Sequence, residues 1–380
     1  MKSWRKLSPA SVLGLLSISL VALVATPAAA AYSTSARESW SANNTVYAIA
    51  VHGNTVYIGG HFTGLSNVYT GDFAARSHIA AFDATTGALI TTFDPAIDAD
   101  VRAIQVSADG STIYVGGTFA NVNGAVRTRV AALDTAGALV PGWNVSASGM
   151  VRDLAMVGSD LFLAGNFSTV NSVSRPGLAK VNAATGQVSS WKVPTGGGKP
   201  RSIVPSPNGT DLIVAGSFTS LEGQSRVFLG SATLATGDVT AWNPPPDCLN
   251  CDVFDVVAAG DAVFGAVGGG GGRAAKWSAT TGALTWSVHT DGNAQAVAVT
   301  DGTLYVGGHF GPTFAGQPRG QLAALDSGTG ALLPWAPNLG TTYFPGVWAI
   351  DAGPDFLRVG GGFRSVNGIL QARFSEFPFV

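Results

Sequence analysis

Three arginines occupy one position of a repeated phrase on a chain in which only 12% of residues are charged. Aligning Val46-Tyr47-Ala48-Ile49 with Val101-Arg102-Ala103-Ile104 and its later relatives gives a column of Tyr47, Arg102, Arg152, Arg201, Phe254, Gln295 and Trp348. A guanidinium fork matches a carboxylate or sulfate through paired hydrogen bonds. Aromatic rings such as Tyr47, Phe254 and Trp348 offer faces on which a sugar can stack. The chemistry expected of this column is therefore the capture of an acidic ligand. The plain structural alternative is that the residues cap a channel or pair with Asp153, Asp255 or Glu222.

Other reactive residues are sparse. His61 and His309 share the third place of Gly-Gly-x-Phe, but Thr118, Asn166 and Ser217 fill it elsewhere and no third ligand accompanies them. They are expected to be polar strand-end residues, and no metal site is expected. Asp83, Asp134, Asn182 and Asp326 each precede a glycine by three or four residues. That spacing suits an Asx turn closed by a residue at positive φ, and one carboxylate per turn is too few for calcium. Cys248 and Cys251 are expected to form a local disulfide, the usual state in an exported chain. No Gly-x-Ser-x-Gly elbow, His-Glu-x-x-His or phosphate-binding loop occurs. Catalytic residues and cofactors are therefore not expected.

The elements that position the column come from an internal repeat, the signature of arrays and propellers. The phrase Val56-Tyr57-Ile58-Gly59-Gly60-His61-Phe62 returns as Ile113 to Phe119, then around Leu161–Phe167, Leu212–Phe218, Leu304–Phe310 and Leu357–Phe363, with a degraded copy from Val263 to Gly268. A second phrase, Ile79 to Leu89, follows and has relatives ending at Trp143, Trp191, Trp242, Trp286 and Trp335. Each unit offers four short apolar runs rich in β-branched and aromatic residues, parted by turn residues. The fold expected is all-β: a seven-bladed β-propeller of four-stranded antiparallel blades. The last unit stops after Leu370 to Phe374, while Ser39-Trp40-Ser41-Ala42-Asn43 near the start resembles the missing Trp-Asn end. The N-terminal strand is thus expected to close the ring, a device that removes exposed edges.

Residues 1–30 carry Lys2, Arg5 and Lys6, an apolar run from Val12 to Val24, and small residues up to Ala30. This is the layout of a cleaved secretory signal; the run is too short for the roughly 20 residues a membrane helix needs. Secretion is expected, with residues 31–380 as one propeller domain. Of the 21 Lys and Arg, three fall in the leader, which leaves 18 against 23 Asp and Glu, a net charge of about −5. Nothing in that balance suits a nucleic-acid partner, and no membrane span or polybasic anchor is expected. With 46% apolar residues the chain is far from disordered composition.

The Gly-Gly-x-Phe phrase, together with Val122-Asn123-Gly124 and Val366-Asn367-Gly368, resembles the delta-sixty repeat family. That resemblance implies a secreted or surface-associated bacterial β-propeller. The phrase from Leu325 to Trp335 is also similar to the tryptophan motif of quinoprotein (PQQ-type) repeats. The adjacent cysteines such a cofactor site would bring are absent, so no quinone cofactor is expected. The function expected is a monomeric, non-catalytic extracellular module that binds a glycan or protein ligand, with an acidic glycan as the ligand class. The alternative is a secreted carbohydrate-active enzyme, a polysaccharide lyase or glycoside hydrolase, acting at the channel mouth.

Overall fold

A computed structural model describes residues 32–380, apart from 246, 247, 249, 312 and 341–345. The secretory signal expected at residues 1–30 lies outside the described residues. Those described form strands and turns with no helix, and so none that could cross a membrane. The β-branched and aromatic runs become short strands, and the Gly, Asn and Asp between them become turns.

Each copy of the repeat builds an antiparallel sheet around the strand carrying its Gly-Gly phrase, which reads Ala-Gly in the third and fourth copies. In the first copy Val46–His52 pairs with Thr55–Gly60, which pairs with Ile79–Asp83. The strands that begin the copies are Val46–His52, Val101–Val106, Val151–Val157, Pro200–Pro205, Cys251–Ala259, Asn293–Thr300 and Val347–Ala352. They are called the inner strands here, because each packs against the next and Val347–Ala352 packs against Val46–His52. A short hairpin follows most Gly-Gly strands; Asn121–Val122 with Ala125–Val126 is one such.

Glycine is required in the repeated phrase by close approach. A Cβ on Gly116 would lie 2.6 Å from the Val151 side chain of the next copy. One on Gly117 would lie 1.9 Å from the Asp100 carbonyl oxygen, at the start of its own copy. Gly360 approaches Val46 in the same way as Gly116 approaches Val151, so the last and first sheets pack like any other neighbours.

The outer segment is shorter than the four-stranded expectation. Among the described residues only the copy from Cys251 to His289 forms a four-stranded sheet in strand pairing, ending in Leu284–His289. Elsewhere the fourth segment meets its neighbour through one bridge, as in Phe82 with Leu89 or Leu325 with Leu332. Proline explains the difference: Pro95, Pro141, Pro194, Pro244 and Pro334 interrupt or follow those segments, and none occurs in Leu284–His289. A proline offers no N–H to a ladder.

The tryptophans of these segments tie neighbouring sheets. Trp143 Nε1 donates to Ala183 O at 2.8 Å, Trp191 Nε1 to Thr233 O at 2.9 Å and Trp242 Nε1 to Ser278 O at 3.0 Å. Large buried aromatics bonded at their polar edge satisfy both burial and hydrogen bonding. The Asx turns form as well: Asp83 Oδ1 accepts from Thr86 N at 2.7 Å, and Gly87 has φ +73°.

The N-terminal residues lie along the last sheet. Ser33 N donates to Pro378 O and Arg37 N to Glu376 O, each at 2.8 Å. Trp335 Nε1 donates to Ser33 O at 3.1 Å. Arg37 also reaches the first sheet, its Nη2 bonding Ala84 O at 3.2 Å, the counterpart of the Trp143–Ala183 bond. Trp40 packs partly buried against the cluster around Phe62, Phe82 and Phe374. Cys248 and Cys251 are joined by a disulfide, their Cα atoms 5.9 Å apart.

Candidate functional site

The inner strands share a defect that creates the site. In the first copy Val46 pairs with Gly60 and Ala48 with Gly59, so Tyr47 has no partner across the ladder. The same slip skips Arg102, Arg152, Arg201, Phe254, Gln295 and Trp348. A β-bulge leaves one residue unpaired and re-aims its side chain. Repeated around the inner strands, it brings all seven residues of the sequence-derived column to the lining of one cavity of about 220 Å³.

Two of the three guanidinium groups are already occupied. Arg102 Nη2 lies 2.7 Å from Asp100 Oδ2, and its guanidinium sits 3.7 Å from the Tyr47 ring centre. Arg201 Nη2 pairs with Asp252, and its guanidinium lies 4.5 Å from the Phe254 ring centre. The partners are thus Asp100 and Asp252, and not the Asp153, Asp255 or Glu222 weighed from sequence. Asp100 and Asp252 both stand two residues before the bulge residue, and in the copy carrying Arg152 that place is Met150. This signal was present in the sequence but lies two columns away from the arginines.

Arg152 differs from its neighbours. Its Nε donates to Asn166 Oδ1 at 3.1 Å, and among the described residues no carboxylate forms an ion pair with it. Burial first, then Arg201 and Arg102, lower its pKa to about 10, with Asp252 opposing. It therefore remains charged at neutral pH, with no carboxylate paired to it among the described residues.

The other sector is aromatic and neutral. Trp348 meets Tyr47 at 6.0 Å and Phe254 at 6.1 Å between ring centres, both edge-on. Gln295 is 2% exposed, and neither its Nε2 nor its Oε1 has a partner among the described residues. The buried Trp348 Nε1 also has no partner among the described residues. Such groups normally find partners, since leaving them bare costs roughly 1–3 kcal/mol each.

Immediately after the bulge residues come Ala48, Ala103, Asp153, Ser202, Asp255, Ala296 and Ala349. Asp153 accepts from Leu154 N at 2.8 Å and from Ile203 N at 2.7 Å. Asp255 accepts from Val256 N at 2.9 Å, Val297 N at 3.0 Å and Ser202 Oγ at 3.0 Å. These carboxyls stitch inner strands together and also line the cavity. Sequence reasoning treated them only as ion-pair partners. Burial pushes Asp153 up to about 7 and Asp255 up to about 6 against the lowering effect of those bonds; Asp255 also raises Asp153.

The sign of the linkage follows. A carboxyl whose folded pKa exceeds its unfolded value of 3.8 holds its proton more tightly when folded. Its stabilising contribution is complete below about pH 4 and is lost as pH rises through the folded pKa values. Stability should fall between about pH 4 and pH 7 through these two groups. Urea midpoints across that range should show a shallower fall for Asp153→Asn than for the wild type; parallel curves would refute the assignment.

His61 Nδ1 is bonded to Asp100, which links it to Arg102. Among the described residues no group of three or more His, Cys, Asp or Glu is placed to hold a metal ion.

Comparison with known proteins bears on the scaffold. A family model described as a domain of unknown function (DUF5122) beta-propeller matches residues 108–139. No curated protein matches the chain. Among solved structures it is similar to the WD40 β-propeller domain of Doa1, with TM-score 0.53 and 9% identity over 90% of this chain and 96% of that one. The computationally designed Ika8 protein is similar at TM-score 0.51 and 13% identity, over 90% of this chain and 98% of the other. The all-β architecture and these likenesses together make the scaffold a β-propeller.

Proposed function

We propose that this chain is a secreted, seven-bladed β-propeller, closed by its N-terminal strand, that binds an acidic ligand without chemical conversion at the mouth lined by the bulge residues. An acidic saccharide is the ligand class. The observation that carries this reading is Arg152: a charged guanidinium in a cavity, flanked by two arginines already neutralised by Asp100 and Asp252. A guanidinium that, among the described residues, has no ion-pair partner favours an incoming anion in a partly desolvated mouth. The inner-strand packing that returns from Val347–Ala352 to Val46–His52 supports the blade count and the closure. The resemblance to secreted delta-sixty repeat propellers supports the extracellular setting. Binding without turnover fits a mouth whose carboxylates are committed to backbone N–H groups and whose sequence holds no hydrolase motif.

The test is a glycan-array screen of the mature protein with parallel detection of cleavage products. Acidic glycans should be retained, retention should weaken as salt rises, and no products should form. Arg152→Ala should abolish retention while leaving the melting temperature unchanged or slightly raised, because one of three neighbouring positive charges is gone. A clear loss of stability with retention intact would make Arg152 a structural residue and end the proposal.

A further inference from the structure

Resting on the acidic-ligand reading, we infer that the mouth recognises its ligand from two ends, with Arg152 taking a carboxylate and Gln295 with Trp348 reading neutral hydroxyl groups opposite it, as on a single uronic acid residue.

The placement comes from the order of the inner strands. Along that order the strands carrying Gln295 and Trp348 are the two farthest from the strand carrying Arg152. Tyr47 with Arg102 stands on one flank, and Phe254 with Arg201 on the other. The cavity thus has a cationic pole, a neutral polar pole and two walls of stacked rings and guanidinium groups.

The polar pole is what narrows the class. Gln295 is nearly inaccessible, yet both ends of its amide lack a partner among the described residues, and Trp348 adds a buried indole N–H. A ligand that ends in an apolar group would leave these desolvated and unpaired. A small inorganic anion on Arg152 would not span the cavity to meet them. The amide supplies a donor and an acceptor side by side, which suits vicinal hydroxyls, each of which both donates and accepts. On a pyranose uronate the carboxylate at C5 lies across the ring from the hydroxyl-bearing C2 and C3. One such residue suits a cavity of about 220 Å³, and its apolar ring edge would lie between the aromatic walls.

The experiment titrates the mature protein with D-galacturonate, acetate and methyl galactoside by calorimetry. Wild type should bind galacturonate at least tenfold more tightly than either acetate or the neutral sugar. Gln295→Leu should weaken galacturonate binding about tenfold, the value of one lost hydrogen bond, and leave acetate unchanged. Trp348→Phe, which keeps an aromatic ring but removes the indole N–H, should act in the same direction and carries the test should the buried Gln295→Leu variant fail to fold. Acetate binding as tightly as galacturonate, or galacturonate binding unaltered in both variants, would overturn the two-ended recognition. Arg152→Ala separates the two ideas: if it leaves binding of both acids intact, the acidic-ligand reading itself has failed.

Discussion

A chain that begins at Thr45 should melt well below one that begins at Tyr32, with a loss of several kcal/mol. Residues 32–44 contribute three kinds of contact at once. Tyr32 is 2% exposed and packs edge-on against Tyr305 at 5.2 Å and Phe379 at 5.9 Å. Loss of a large buried aromatic alone costs about 3–5 kcal/mol. The segment also supplies Ser33 O to the Trp335 indole and Ser41 Oγ to Ala372 N, the latter at 2.9 Å. Without it those donors lose their partners, and the sheet containing Phe374–Pro378 ends in an open edge. Thermal melts of the two chains decide the matter. Equal melting temperatures would contradict closure by the N-terminal strand.

The second large effect concerns one carboxylate. Glu376 is 1% exposed and is shared by two arginines: Arg37 Nη2 at 2.6 Å and Arg358 Nε at 3.0 Å. Arg358, itself 3% exposed, reaches Asp351 Oδ2 at 3.2 Å as its remaining acidic contact. Removing one member of a buried pair strands the other charge, which costs about 3–5 kcal/mol. Glu376→Ala should lower the urea midpoint by a corresponding amount at an unchanged slope. Arg37→Ala should cost less, because Arg37 is near the surface and Glu376 keeps Arg358. The double variant should fall short of the sum, since the two residues share one interaction. A Glu376→Ala chain within about 0.5 kcal/mol of wild type, the range of ordinary surface changes, would show that the network adds little.

Much of this architecture was legible because the repeat constrains each copy by the same contacts. The phrase recurs because six copies place a glycine against their own backbone, at Gly60, Gly117, Gly165, Gly216, Gly308 and Gly361, while the position facing the next sheet takes glycine or, at Ala164 and Ala215, alanine. The column from Tyr47 to Trp348 was legible for the same reason: the bulge falls at the same place in each inner strand. The ion-pair partners were less so. Asp100 and Asp252 occupy one column, yet Asp100 pairs within its own copy and Asp252 reaches back to Arg201 of the preceding one, a choice made by side-chain reach that no spacing records. The commitments of Asp153 and Asp255 to backbone N–H groups of neighbouring strands depend on sheet-to-sheet contact, which a linear pattern does not specify. The shortened outer segments were written in the prolines, whose effect on pairing outweighed the strand-like composition around them. Gln295 was visible as a member of the column, but its burial without a partner emerges only once the cavity is assembled.

Capture of an acid by Arg152 at the mouth is best decided by a crystal structure of the mature protein soaked with D-galacturonate. Density for one sugar is expected inside the ring of bulge residues, its carboxylate within hydrogen-bond distance of the Arg152 guanidinium. Density for the sugar only at another surface, with the Arg152 side chain turned onto a protein carboxylate, would contradict it.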